Sequence, residues 1–236
     1  MTGPGGQAAN DEGHGAAGDQ AAFRIAVLAS GSGSNLQAII DQLHGRPLSG
    51  HPADYRPGDP RIEVVLVLSD VPGARALQRA EQAGIRTTVV PVSDYADREQ
   101  HDLAITTRLL EAEPDLVVLA GYMRIVAPPL LKAFPWRVIN LHPALLPAFP
   151  GTHSIADAVG YGVKVTGVTV HFVDPGVDTG PVIAQEAVPV RHDDTADSLG
   201  ARIHAVEHRL LPEVIRQIAA GKVRPPLPGS RVVQVD

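Results

Sequence analysis

Phe23-Arg24-Ile25-Ala26-Val27-Leu28-Ala29 runs straight into Ser30-Gly31-Ser32-Gly33-Ser34-Asn35, and Leu36–Leu43 follows with apolar residues at helical spacing. A short apolar strand, a glycine-rich turn and an amphipathic helix form the opening unit of a doubly wound sheet. The pattern repeats downstream. Ile62–Leu68 reads as a second buried strand, Pro72–Ala83 as a helix stopped by Gly84, Thr87–Val92 as a third strand and Asp97–Glu111 as a third helix. Leu116–Ala120 and Val138–Leu141 supply a fourth and a fifth strand. This alternation predicts an α/β, Rossmann-like fold around a mostly parallel, doubly wound sheet.

Beyond Pro150 the rhythm changes. Val168–Val173 and Val182–Val190 alternate more strongly across a polar Gly/Pro loop, which predicts a mixed or antiparallel C-terminal edge. Thr195–Ala220 reads as one long amphipathic helix that closes the domain. The expected organisation is a disordered tail over residues 1–22, a catalytic domain over 23–226 and a loosely attached tail over 227–236. Gly45–Arg61, rich in Pro, Gly, His and Asp, reads as a surface loop.

Composition narrows the function. At 236 residues the chain suits one α/β domain, and with 44% hydrophobic but 4% aromatic residues its core must be aliphatic. Cys is absent, which excludes disulfide and thiolate chemistry and fits a cytoplasmic protein. A net charge of −6 argues against a nucleic-acid partner. No apolar run reaches the length of a membrane span, and the first 22 residues lack the hydrophobic segment of a secretory signal.

The turn Ser30–Asn35 stands where doubly wound folds bind phosphate, because free backbone N–H groups and the helix dipole converge there. Gly33 permits close backbone approach, and Ser34 and Asn35 add side-chain hydrogen-bonding groups. Leu36 occupies the place of the third dinucleotide glycine, and no Lys-Ser/Thr follows, so a phosphate monoester is a better expectation than NAD or ATP. A plain helix cap on a tight turn is the structural alternative.

Val138-Ile139-Asn140-Leu141-His142-Pro143 carries the chemistry. A buried strand ends with an amide and an imidazole two residues apart, on one face. Asn can hold a carbonyl oxygen, and His transfers protons near neutral pH. Asp178, in the loop Asp174–Pro181, could sit against the imidazole. This set suggests acyl or formyl transfer to a nucleophile. His171 ends an apolar run and is expected near His142 or holding a loop, and His153 is expected to position the helix after it. Gly176 and Gly180 are candidate hinges for that loop. His204-Ala205-Val206-Glu207-His208 also matches the inverted zinc-peptidase pattern, with both His on one helical face. Only 28 residues follow, without a His to serve as a downstream ligand, so this match lacks its context.

Several long motifs occur together and in order: Ser30–Ile39, Leu119-Ala120-Gly121-Tyr122-Met123-Arg124-Ile125, Ile139–Pro143, Phe149-Pro150-Gly151-Thr152-His153, Gly167–Val173 and Asp178–Ile183. Across Arg24 to Gly221 the chain resembles the folate-dependent glycinamide ribonucleotide formyltransferases of purine biosynthesis. The resemblance implies the formyltransferase fold, 10-formyltetrahydrofolate as co-substrate, 5′-phosphoribosylglycinamide as acceptor, and no metal. It further implies that Asn140, His142 and Asp178 are catalytic, that Gly33, Ser34 and Asn35 hold the substrate phosphate, and that Glu207 contacts the ribonucleotide. Arg98, Met123, Arg124, Ile125, Val126 and Asn140 would line the folate pocket, with His153 and His171 in support. A monomer or homodimer acting on small molecules is expected.

Ala144 stands where the family often has Ser, Gly45–Arg61 looks longer than usual, and the N-terminal tail is extra. Formyltetrahydrofolate hydrolases and methionyl-tRNA formyltransferases share the Asn-x-His-Pro and Asp elements. The former are expected to carry an N-terminal regulatory domain and the latter a further C-terminal domain. A non-catalytic nucleotide-binding module would use the Gly-rich turn but leave Asn140, His142 and Asp178 without a purpose.

Overall fold

The computed structural model describes residues 22–49 and 60–236. The expected N-terminal tail and most of the loop after Gly45 lie outside these residues. The order of elements is β1 (Phe23–Leu28), α1 (Ser34–Leu43), β2 (Arg46–Pro47), β3 (Arg61–Ser69), α2 (Arg75–Gln82), β4 (Thr87–Val89), α3 (Arg98–Ala112), β5 (Leu116–Leu119), α4 (Pro128–Ala133), β6 (Val138–His142), α5 (Ser154–Tyr161), β7 (Val165–Phe172), β8 (Val182–Pro189), α6 (Ala196–Ala219), β9 (Val223–Arg224) and β10 (Gln234–Val235).

β1 lies in the middle of an eight-stranded sheet ordered β2-β3-β1-β5-β6-β7-β8, with β4 also paired to β3. The pairs β1–β3, β1–β5, β3–β4 and β5–β6 are parallel, whereas β6–β7 and β7–β8 are antiparallel. The mostly parallel sheet with an antiparallel C-terminal edge is therefore present as expected. Chain order reverses at β1, so the crevice beyond its C-terminal end is the topological switch point.

Alternation along β1 explains the two layers. Ile25 and Val27 join the core with Leu36 and Ile39 of α1 and with Leu199, Ile203 and Leu211 of α6. Ala26 and Leu28 join the opposite core, with Ile105 and Leu109 of α3, Leu130 of α4 and Phe134 just after it. Buried on both faces, β1 and β5 have no polar side to show, which is why they read as continuous apolar runs.

Boundaries differ where local chemistry intervenes. α2 begins at Arg75 rather than Pro72, because Pro72 and Gly73 form a turn in which Gly73 has φ +74°. β4 stops at Val89, and Val92–Asp94 form a 3-10 turn after Pro91. α6 starts as expected, with Thr195 and Ser198 exchanging the two bonds of a capping box. The short helices α4 and α5 carry too few apolar turns to stand out in the sequence. The segment expected as a loose tail doubles back: β10 pairs antiparallel with β9, and Arg231 donates to the carbonyl of Thr179.

Candidate active site

β6 brings the decisive residues to the switch-point end of the sheet. Ile139 and Leu141 enter the core beside α1 and α6, so Asn140 and His142 face the other way, two residues apart on one side. Antiparallel pairing sets Asn140 opposite His171 and His142 opposite Thr169. This register puts the Asn140 Nδ2 group 3.2 Å from His171 Nε2. The loop between β7 and β8 delivers Asp178 to the same spot. Asp178 Oδ1 accepts from Asn140 Nδ2 at 3.3 Å, and its Oδ2 lies 3.4 Å from His142 Nδ1. The structure thus brings together Asn140, His142, Asp178 and His171.

Hydrogen-bond direction can be assigned from fixed ends. His171 Nδ1 lies 2.8 Å from the carbonyl of Phe172, which can only accept, so Nδ1 carries a proton. Its Nε2 is then an acceptor for the amide of Asn140. Burial, the largest influence, pushes the His171 pKa below its ordinary value and keeps the ring neutral. His142 Nε2 lies 2.8 Å from the carbonyl of Phe149 and donates to it. With a carboxylate at its Nδ1, the imidazolium form of His142 would satisfy both partners.

The supporting backbone is unusual here. Phe149 and Asp178 have φ of +52° and +53°. Asp tolerates this left-handed conformation, whereas for a bulky residue such as Phe it costs about 1–3 kcal/mol. The ring of Phe149 packs edge-on against Tyr161 of α5 at 6.1 Å, and Gly151 N–H donates to Asp178 Oδ2 at 2.8 Å. Gly176 and Gly180, expected as hinges, have another reason to be glycine. A Cβ on Gly180 would collide with the Phe172 carbonyl, and one on Gly176 with the Thr179 hydroxyl.

Beside these residues opens a cavity of about 180 Å³, lined among others by Met123, Arg124, Ile125, Val126, Asn140 and His142. Arg98 does not line it. Its Nη2 instead donates to the carbonyl of Ile125 at 2.8 Å, holding the wall from behind. His153 precedes α5 as its N-cap residue without a capping bond from its side chain, and lines a neighbouring groove with His204.

The glycine turn lies across the switch point. Gly33 has φ +69°, and a Cβ there would come within 2.7 Å of Ala76 Cα, so only glycine fits. Asn35 Nδ2 donates to Glu207 Oε2 at 3.0 Å. Glu207 is 3% exposed and also receives His204 Nδ1 at 2.8 Å. That bond, before any other influence, raises the His204 pKa. Two residues of the apparent zinc motif are therefore committed elsewhere: Glu207 takes one bond from His204 and one from Asn35 of the turn.

Residues 23–215 match the family described as formyl transferase. The chain belongs to the formyl transferase family. Among this formyl transferase's relatives, the phosphoribosylglycinamide formyltransferase of Mycobacterium tuberculosis (strain CDC 1551 / Oshkosh) is 46% identical over 196 residues, 83% of this chain and 85% of that protein. The trifunctional purine biosynthetic protein adenosine-3 of Drosophila melanogaster is 45% identical over 198 residues, 84% of this chain but only 14% of that longer protein. The crystal structure of glycinamide ribonucleotide transformylase 1 from Symbiobacterium toebii superposes with a TM-score of 0.81 at 45% identity, covering 91% of this chain and 94% of that one.

Sequence reasoning missed several supports of the formyl transferase site. Thr169 is fully buried; it donates to the carbonyl of Ala144 at 2.7 Å and accepts from Leu146 N–H and Gln185 Nε2. It pins the loop after β6 to the antiparallel edge. A polar residue within the apolar run Val168-Thr169-Val170 was the available signal. The carbonyl of Phe149 gave none, because a backbone acceptor leaves no trace in residue type.

Proposed function

We propose that this formyl transferase moves the formyl group of 10-formyltetrahydrofolate to the amine of 5′-phosphoribosylglycinamide, in purine biosynthesis. The observation that carries the reading is the convergence of Asn140, His142 and Asp178 at the end of β6. They meet beside a cavity and across the switch point from a glycine turn backed by Glu207. Relatives named for this reaction support it.

The cavity takes the folate, with Met123–Val126 and Asn140 along its wall and Arg98 acting on the wall from behind. Gly33, Ser34 and Asn35 hold the acceptor's 5′-phosphate at the start of α1, where backbone N–H groups and the helix dipole favour an anion. Glu207 accepts from the ribonucleotide. The amine attacks the formyl carbon, a C–N bond forms, and the carbonyl electron pair moves onto oxygen. Asn140 gives up its long bond to Asp178 and donates to that oxygen, while the imidazolium of His142, its N–H groups held by Phe149 and Asp178, acts on it through its charge. One such donor contributes about 3–4 kcal/mol. Collapse of the adduct breaks the bond to the folate nitrogen. Asp178 takes the proton leaving the amine, His142 gives its Nδ1 proton to that nitrogen, and the proton on Asp178 then returns to His142. His171 orients Asn140. No metal is called for by this route, and the reactants are small molecules, consistent with work in the cytoplasm as a monomer or homodimer.

The test is a spectrophotometric assay with 10-formyltetrahydrofolate, with and without phosphoribosylglycinamide. Ribonucleotide-dependent loss of the formyl group is expected. Loss without the ribonucleotide would replace the reading with a hydrolase, and formylation of methionyl-tRNA would replace it with another transferase. Among the described residues no helix is long and apolar enough to cross a membrane.

A further inference from the structure

Asp70, unused in the chemistry above, follows β3 at the same end of the sheet. Its side chain is only 3% exposed. Ser30 Oγ donates to Oδ1 at 2.6 Å, and Arg124 Nε donates to Oδ2 at 2.6 Å. Ser30 Oγ in turn accepts the N–H of Met123 at 3.1 Å. Asp70 therefore grips the segment 121–126 twice, by charge through Arg124 and by a relay through Ser30 to the backbone. A second buried carboxylate reaches the same segment through another arginine. Asp102 of α3 holds Arg98 Nε at 3.3 Å, and Arg98 Nη2 donates to the carbonyl of Ile125.

The segment held this way has no helix or strand of its own. Tyr122 and Val126 anchor this segment in the core, but Met123 and Ile125 between them leave 63% and 46% of their surface in solvent, so packing does little to fix that stretch. A binding wall that must order itself on contact with its ligand loses affinity to that ordering. Asp70 and Asp102 are buried carboxylates, each offset by an arginine that stays about half in solvent. Burying a carboxylate is costly unless it is paired and hydrogen-bonded; that it occurs twice, each time reaching the same segment, points to the shape of that segment.

We propose that Asp70 is a positioning residue for the folate pocket. It holds residues 121–126 ready for the ligand through Ser30 and Arg124, with Asp102 as its counterpart through Arg98. The inference rests on the reading that this cavity takes the folate.

Asp70→Asn keeps an acceptor for Ser30 and removes the charge that holds Arg124. Steady-state kinetics with both substrates, calorimetric titration with tetrahydrofolate and thermal unfolding form the test. The expected result is a rise of about tenfold in the KM for 10-formyltetrahydrofolate and in the Kd for tetrahydrofolate, corresponding to roughly 1.4 kcal/mol. The kcat should stay within about twofold, and the ribonucleotide KM should not move. Asp102→Asn should act alike, and because both clamps hold one segment the double variant should depart from the simple product of the two effects. Ser30→Ala, which cuts only the neutral arm, should raise the folate constants by about threefold. Lower thermal stability with parental folate constants would make Asp70 a purely structural residue and overturn the proposal, as would a fall in kcat alone. Tetrahydrofolate binding separates the two readings. An enzyme that binds it but does not formylate the ribonucleotide refutes the acceptor, while Asp70→Asn is still judged on binding.

Discussion

Gly33→Ala tests the link between the glycine turn and the fold. The new Cβ would stand 2.7 Å from Ala76 Cα and 2.8 Å from its Cβ, on a backbone with φ +69°. Left-handed geometry costs a non-glycine residue about 1–2 kcal/mol. Overpacking against the neighbouring backbone adds about 1–3 kcal/mol, since neither helix start can move freely. The sum, about 2–5 kcal/mol, corresponds to a fall in Tm of roughly 5–15 °C for a chain of this size. Gly31→Ala is the internal control. Nothing lies within 4 Å of its added Cβ and its φ is not positive, so stability should hold or rise by up to about 1 kcal/mol. Calorimetric unfolding of both variants, with ribonucleotide KM measured alongside, makes the comparison. If Gly33→Ala unfolds within about 2 °C of the parent and keeps its ribonucleotide KM, the turn is not held against α2 as described, and the argument from close packing fails.

Asp178→Asn preserves the left-handed backbone, which Asn also tolerates; it removes the charge facing His142 and, with one carbonyl oxygen, keeps only one of the bonds from Gly151 N–H and Asn140 Nδ2. We expect kcat to fall by about 10²-fold or more with ribonucleotide binding retained, and a parental kcat would remove Asp178 from the proton route. His204 gives a pH-dependent contribution of known sign. Its folded pKa is raised above the ordinary value of 6.5 by Glu207, so the stability it adds is fully present below that value and disappears as pH rises through the folded pKa. His204→Gln should therefore destabilise more at about pH 5.5 than at about pH 8 in urea unfolding, and equal losses at both would refute the ion-paired geometry.

Much of the architecture was legible because buried strands and capped helices leave periodic traces. β1, β3, β5 and β6 read as apolar runs, and the change of rhythm after Pro150 marked the antiparallel edge. The short helices α4 and α5 escaped because a helix of six or eight residues barely completes the spacing that identifies it. At the site, residue types indicated Asn140 and His142, since two polar groups ending a buried strand need a reason. The roles of Phe149, Gly151 and the carbonyl of Phe172 were not legible. They act through backbone groups, which every residue carries alike. The resemblance also put Arg98 and Arg124 together at the folate pocket, but only coordinates separate a wall from what props it up.

Those backbone groups decide which way the site's protons can point. The carbonyl of Phe172 has no proton to give, so it fixes the proton of His171 on Nδ1, which leaves Nε2 as an acceptor and turns the amide of Asn140 with its NH₂ group inward. The carbonyl of Phe149 likewise fixes Nε2 of His142 as a donor and leaves Nδ1 to Asp178. Two immobile acceptors, one on β7 and one on a strained turn, thus fix which ring nitrogens of His171 and His142 carry the protons. That order depends on His171 staying neutral, which its burial favours. As pH falls below the ordinary value of 6.5, the unfolded chain takes up a proton at His171 before the folded one does, so this group withdraws stability toward acid pH. Protonation in the folded state would convert Nε2 to a donor facing another donor and expel the amide of Asn140 from its place. His171 and His204 therefore respond to pH with opposite signs within one molecule: burial favours the neutral ring that accepts from Asn140, and Glu207, behind the glycine turn, favours the charged form of the other.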